Sequence, residues 1–157
     1  MKKRMLKRIA LVVYCSFVIS ILTTVAIGAI AYGSWGYYSQ NGYDYRSRNT
    51  IEIFNRHVKG FTMVGPSGNQ TIPVGYAKVQ CTIVNRATGK FLDQTPLYTN
   101  SQTIQPGYVI QQWIEDLNAA ATTTFYTHGQ TQAYNPYVAG GYVIYASLQS
   151  PDQTTTR

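Results

Sequence analysis

The chain has 157 residues, 13 of them basic and 6 acidic, and carries 14 Tyr and 13 Gly against only two His and two Cys. Five of the basic residues and none of the acidic ones precede residue 32, so the remaining 126 residues hold eight basic against six acidic groups, a formal charge of only +2. That balance removes the main support for a nucleic-acid partner, because polyanion binding needs clustered Lys or Arg to release counterions.

In chain order, Lys2, Lys3, Arg4, Lys7 and Arg8 precede an uncharged, largely apolar run from Ile9 to Ala31 that closes on Ala29-Ile30-Ala31. A basic head, an apolar stretch and a small-x-small exit form an export signal, so signal peptidase is the first expected partner, cutting after Ala31. The run is also long enough to span a bilayer core of about 30 Å, which makes an uncleaved anchor the alternative. Tyr14, Ser16, Ser20, Thr23 and Thr24 dilute the apolar surface and Gly28 loosens a helix just before the exit, which favours cleavage. Either way the basic end stays in the cytoplasm; the expected localisation is secreted, with a membrane-anchored domain facing outwards as the alternative. Cys15 reads poorly as a lipid-attachment site, since the bulky Tyr14 precedes it.

The exported residues suffice for one domain, over residues 32–150, and leave no room for two. Their Thr, Gln, Tyr and Gly content, with little Leu, favours strands and turns, an all-β class. Residues 32–50 carry Tyr32, Trp35, Tyr37, Tyr38, Tyr43 and Tyr45 punctuated by Gly33, Gly36 and Gly42, a β-prone lead-in without helical periodicity. Residues 51–64 predict one or two strands broken near Lys59-Gly60. Pro66-Ser67-Gly68-Asn69 predicts a turn in which proline presets one φ and Gly or Asn takes a positive one.

Residues 76–85 form the clearest strand, with Ala77, Val79, Cys81 and Ile83 alternating onto one apolar face. That places Cys81 in the core as a small hydrophobe. After cleavage it is the only thiol, so the domain is disulfide-free, which suggests a Gram-positive bacterial source. Residues 85–90 predict a hairpin with Gly89 in its left-handed position, returning at Phe91. Pro106-Gly107 marks a type II turn. Residues 108–117 stay open between a strand and a short helix: Val109, Ile110, Trp113, Ile114 and Leu117 share a helical face, yet β-branched and aromatic residues dominate. A Thr-rich strand over 122–128, a turn at Asn135-Pro136, a last strand over 142–148 and a frayed, disordered tail over 151–157 complete the reading. Gly-Tyr pairs at 42, 75, 107 and 141, two of them preceded by Gln-Thr-Ile, are read as chance in a chain so rich in both residues, with a turn-plus-strand repeat as the alternative.

Catalytic residue types are scarce. His57 and His128 belong to no metal-spaced pair, so no metal is expected. Cys81 with either His and Asp93 or Asp116 is a nucleophilic combination that an inward-facing Cys81 argues against. Glu115 and Asp116, as strand neighbours, point opposite ways and do not form a glycosidase pair. Arg46 and Arg48, with Arg56 and Lys59 beyond, are read as solvated loop residues, with an anion patch as the lesser alternative. The expectation is a non-enzyme without catalytic residues or cofactor. What remains is a surface of Tyr, Trp, Thr, Gln and Asn suited to sugars or polar headgroups, since aromatic faces stack while amides and hydroxyls fix orientation. Trp113 is placed in the core; Trp35 is as readily exposed as buried.

The order of features resembles the small exported bacteriocins of the lactococcin 972 family. Gly33-Ser34-Trp35 is similar to the Gly-(Ser/Thr)-Trp opening of those proteins, residues 81–90 to their strand leading into an Asn-rich Thr-Gly-basic turn, Gly107-Tyr108-Val109 to a further glycine-led strand, and Thr124-Phe125-Tyr126 to the terminal aromatic strand. The resemblance spans about residues 33–128. It implies a secreted β-sandwich that disturbs cell-wall synthesis in sensitive neighbouring bacteria without catalysing a reaction, matched by a dedicated immunity transporter. The expectation is therefore a small antiparallel β-sandwich that binds a cell-envelope component or glycan through Trp35, Tyr37, Tyr38 and Tyr43. A cell-surface or matrix protein that binds glycan or self-associates is the alternative.

Overall fold

A computed structural model describes residues 29–156, so Cys15 and all but the last three residues of the export segment lie outside the described residues. Among the described residues the strands are β1 (Ala29–Tyr32), β2 (Gly36–Gln40), β3 (Tyr43–Phe54), β4 (His57–Pro66), β5 (Ala77–Asn85), β6 (Phe91–Gln94), β7 (Tyr98–Thr99), β8 (Ile110–Asn118), β9 (Thr124–Tyr134), β10 (Tyr142–Ala146) and β11 (Gln153–Thr154). They form two antiparallel sheets. In the first, β3 pairs with β4 and β4 with β8, while β1 and β2 share the other edge of β3. In the second, β5 and β9 are central, β6 and β7 share the outer edge of β5, and β10 and β11 share that of β9.

The sheets pack face to face because each central strand alternates. Ile51, Ile53, Val58 and Ile114 of the first sheet meet Cys81, Ile83 and Phe125 of the second in one apolar cluster. Tyr45 and Val64 meet Ile72, Ala77, Val79, Ile104 and Ala133 in another. The expected all-β class and two-sheet architecture are what the described residues adopt, and residues 108–117, left open between helix and strand, contribute most of β8.

Several local expectations are met by their predicted chemistry. Gly89 takes φ +67° where the amides of Asn85 and Gly89 close the hairpin onto Lys90 and Asn85. Gly107 takes φ +87° with the Tyr108 amide bonded back to Gln105, as a type II turn requires. The four glycines of the Gly-Tyr pairs all have φ between +71° and +87°. Each leads its tyrosine into or toward a strand, and the two Gln-Thr-Ile segments face one another, Ile72 and Ile104 exchanging backbone hydrogen bonds of 3.0 and 2.9 Å. The recurrence is a local turn device whose second and third copies seal one end of the sandwich.

Other expectations are corrected. The break in residues 51–64 falls at Asn55-Arg56, with Asn55 at φ +56°, and not at Lys59-Gly60. Gly60 instead lies within β4 because a Cβ there would stand 2.7 Å from Ile83 Cγ1 and 2.9 Å from Thr127 Oγ1, so only glycine lets the sheets approach. Pro66 ends β4, and neither Gly68 nor Asn69 takes a positive φ. The tail expected to fray is held: Gln153 and Thr154 pair with Phe125 and Thr124, and the buried Thr155 hydroxyl donates to the Ala120 carbonyl at 2.6 Å. Ala29, Ile30 and Ala31 pair with Ile53, Glu52 and Ile51, so the sheet starts three residues before Tyr32.

Protein recovered from the medium is expected to begin at Tyr32, and to be less stable than the uncleaved chain because Ala31 packs on the first core cluster. Amino-terminal sequencing and a melting comparison of the two forms check this.

Candidate functional site

The candidate site is the outer face of the first sheet. Between β1 and β2 the residues Gly33, Ser34 and Trp35 stand opposite only Arg48 and Asn49, since Tyr32 pairs with Thr50 and Gly36 with Ser47. This bulge kinks the edge. Gly33 is required at it, because a Cβ there would sit 2.9 Å from the Asn49 carbonyl oxygen and 3.0 Å from that of Gln149. Its consequence is to carry Trp35 over the sheet. The Arg46 guanidinium carbon lies 4.7 Å from the Trp35 ring centre and that of Arg48 4.4 Å, with Arg48 also 4.9 Å from the Tyr32 ring.

The aromatic character continues across the sheet. Tyr37, beside Arg46 in register, is 68% exposed and Tyr32 is 58% exposed. Arg48 pairs with Met63, whose sulfur lies 3.9 Å from an Arg48 terminal nitrogen, and Thr50 pairs with Phe61, which in turn pairs with Trp113 on β8. Trp113 is 47% exposed and its indole N–H donates to Glu115 Oε1 at 3.2 Å, so its expected place in the core is corrected: Ile114, the next residue, is the one that turns inward. At the far end Val58 pairs with Leu117 but Gly60 with Ile114, a bulge that lets both Glu115 and Asp116 line one open pocket with Lys59, Phe61 and Trp113. Adjacent carboxylates expected to diverge thus share a face. His57 Nδ1 lies 3.2 Å from Asp116 Oδ1, and Glu52, Phe54 and Lys59 complete a neighbouring open pocket of about 460 Å³.

Of the four expected binding residues, Trp35 and Tyr37 lie on this face. Tyr38 and Tyr43 do not. Strand neighbours alternate, so Tyr38 points inward, its ring 3.9 Å from Tyr145 and 5.1 Å from Tyr45, its hydroxyl donating to Thr131 at 2.9 Å. Burial pushes the Tyr38 and Tyr45 phenols well above their usual range. Tyr43 lies on the same inner side, partly covered, edge-on to Tyr76 at 5.4 Å. In their place the fold supplies Tyr32, Arg46, Arg48, Phe61 and Trp113. Arg46 and Arg48, which fitted a solvated loop, belong to a central strand and are partly covered.

The nucleophile idea finds no geometry. Cys81 is sealed between the sheets, whereas His57 and Asp116 are on the outer face and His128 is on β9 next to Gly129, the register partner of Cys81. Burial pushes the Cys81 thiol up to about 12. Because the unfolded chain ionises near about 8.5, the stability tied to this group is whole below that pH and is lost as pH rises toward the folded value. Cys81→Ala is expected to cost roughly 1 kcal/mol at neutral pH, to leave binding intact and to flatten part of the alkaline loss. Denaturant titrations at neutral and alkaline pH check it.

Comparison with protein-family models, with curated proteins and with solved structures returns no match for this chain.

Proposed function

We propose that the domain is a non-catalytic binding module that acts outside the cytoplasm on a glycan of the bacterial envelope. The observation that carries this reading is the outer face of the first sheet, where Tyr32, Tyr37 and Trp113 are exposed beside the half-buried Trp35 and Phe61. Aromatic side chains in the open on a rigid strand scaffold match the flat, weakly polar faces of sugar rings and lose little side-chain entropy on binding. Exposed Ile30 and Phe54 belong to the same sheet, whereas Phe91, Tyr137 and Ile144 belong to other strands and loops. The amino-terminal segment read as an export signal and the resemblance to lactococcin 972 proteins support the reading. Inhibition of neighbouring bacteria is its proposed consequence, through occupation of a target at the growing wall.

The test is co-sedimentation of the purified chain with isolated bacterial cell walls, alongside imaging of growth and septation in related bacteria. Retention on walls that Trp35→Ala and Trp113→Ala abolish supports a glycan module, and septation defects extend it to a bacteriocin. Retention without toxicity points to the cell-surface alternative. No retention on any wall removes the proposal.

A further inference from the structure

We infer that the glycan bound on this face is anionic, and that Arg46 and Arg48 form the subsite for its carboxylate or phosphodiester groups. The inference rests on the proposed glycan-binding role of the same face and adds the chemistry of its ligand. Four arginines lie in the described residues. Arg86 is neutralised by Asp152, and Arg56 Nε donates to the Ala119 carbonyl at 2.9 Å. Arg46 and Arg48 differ from both. Among the described residues neither has a carboxylate within ion-pair distance, and the one hydrogen-bond partner of the two is the Met63 sulfur. The Nε atoms of both are covered and without a partner.

An arginine drawn partly out of water with its donors unmatched is costly, because hydrogen bonds to charged groups are the ones worth most when made and lose most when left unmade. Here two such side chains stand two residues apart on one strand, hence on one face, both held against the same indole. Stacking on Trp35 fixes their planes, and a guanidinium in a fixed plane presents its terminal N–H groups as a fork that matches a carboxylate or phosphate. The aromatic rings around them supply the surface on which the adjoining sugar rests. The charge needed is local, so it is compatible with the small net charge of the exported chain. Two arginines neutralise one or two anionic groups, far fewer than a nucleic-acid tract demands.

Isothermal titration of the full folded domain with three soluble polymers of matched length tests this: polygalacturonate for carboxylate, poly(glycerol phosphate) for phosphodiester, and dextran as the uncharged control. Binding to one or both charged polymers that weakens with salt in wild-type protein, and that Arg46→Gln or Arg48→Gln each lowers about tenfold, supports the subsite. Arg48→Lys should recover only part of the loss, because an ammonium lacks the planar fork. Lys78→Gln, on the second sheet and stacked on Tyr142, should change nothing. The salt dependence needs no variant, so it decides the matter if a substitution disturbs folding. Dextran bound as tightly as the charged polymers, with Arg46→Gln and Arg48→Gln silent, overturns the anion subsite and leaves the glycan module standing. Wall retention together with silence in all three titrations also overturns it, and loss of wall retention removes both.

Discussion

Gly129→Ala is expected to lower the stability of the domain by about 3 kcal/mol and its melting temperature by about 10 °C. Gly129 lies in β9, opposite Cys81 in register, where the second sheet comes against β3 and β4 of the first. A Cβ there would fall 2.6 Å from Asn49 Oδ1 and closer still to the Thr62 hydroxyl and methyl. These two side chains cannot easily give way. Thr62 donates to Asn49 Oδ1 at 2.6 Å while Asn49 Nδ2 donates to the Leu148 carbonyl at 2.7 Å, and both residues are fully buried. Moving either one adds the cost of an orphaned buried hydrogen bond, about 1–3 kcal/mol, to an overpacking cost of similar size. Combining Gly129→Ala with Thr62→Ala should be less harmful than the two losses added, because the second change opens the space the first needs. Strict additivity in a denaturant titration would count against this account.

Trp35→Ala is expected to weaken binding to cell walls by about 2 kcal/mol, roughly thirtyfold, with a smaller loss of stability. In the proposed site the indole is both a contact surface and the partner that holds Arg46 and Arg48, so its removal would take away the stacking surface for a glycan and free two side chains that must then be ordered on binding. Its contribution to folding is limited to partly exposed cation–π contacts of about 0.5–1 kcal/mol each. Trp35→Phe should retain much of the affinity. A melting temperature lowered as far as by Gly129→Ala would show that Trp35 is chiefly a packing residue, and unchanged wall binding would move the site elsewhere.

The strands were legible where alternation and side-chain chemistry agree, as in β5, where every second residue from Ala77 to Ile83 is apolar and buried. In β3 the same alternation is disguised. Its inward positions include Ser47 and Asn49, polar residues that local sequence does not place in a core, and the partners of Asn49 come from β4 and from the segment after β10. Arg46 and Arg48 consequently resembled loop residues. The Asn41-Gly42 pair, with φ +50° and +79°, joins β2 to β3, and its dipeptide is a strong hairpin signal that predicts this turn. Reading it would have fixed the register, placing Tyr37 outward and Tyr38 inward. The bulges at Gly33-Ser34-Trp35 and at Glu115-Asp116 were not legible, since each is defined by the count of residues on a partner strand distant in sequence. Trp113 and Ile114 are adjacent and both apolar, so the choice of which one faces out also belonged to the register.

If the amino-terminal segment is an export signal, the edge strand β1 makes its removal a contest of timing. The bond after Ala31 is open to a peptidase only while the chain is extended and unpaired; once Ala29, Ile30 and Ala31 have zipped onto β3, the same bond lies within a hydrogen-bonded ladder. Fast cleavage frees a domain whose β3 has lost its partner at Ile51, Glu52 and Ile53, an open row of backbone donors and acceptors of the kind that recruits a strand from another molecule. Fast folding locks the strand in and shields the bond. If the amino-terminal segment is the export signal its composition suggests, the ratio of cleaved to uncleaved chain is set by the relative speeds of the peptidase and of strand pairing.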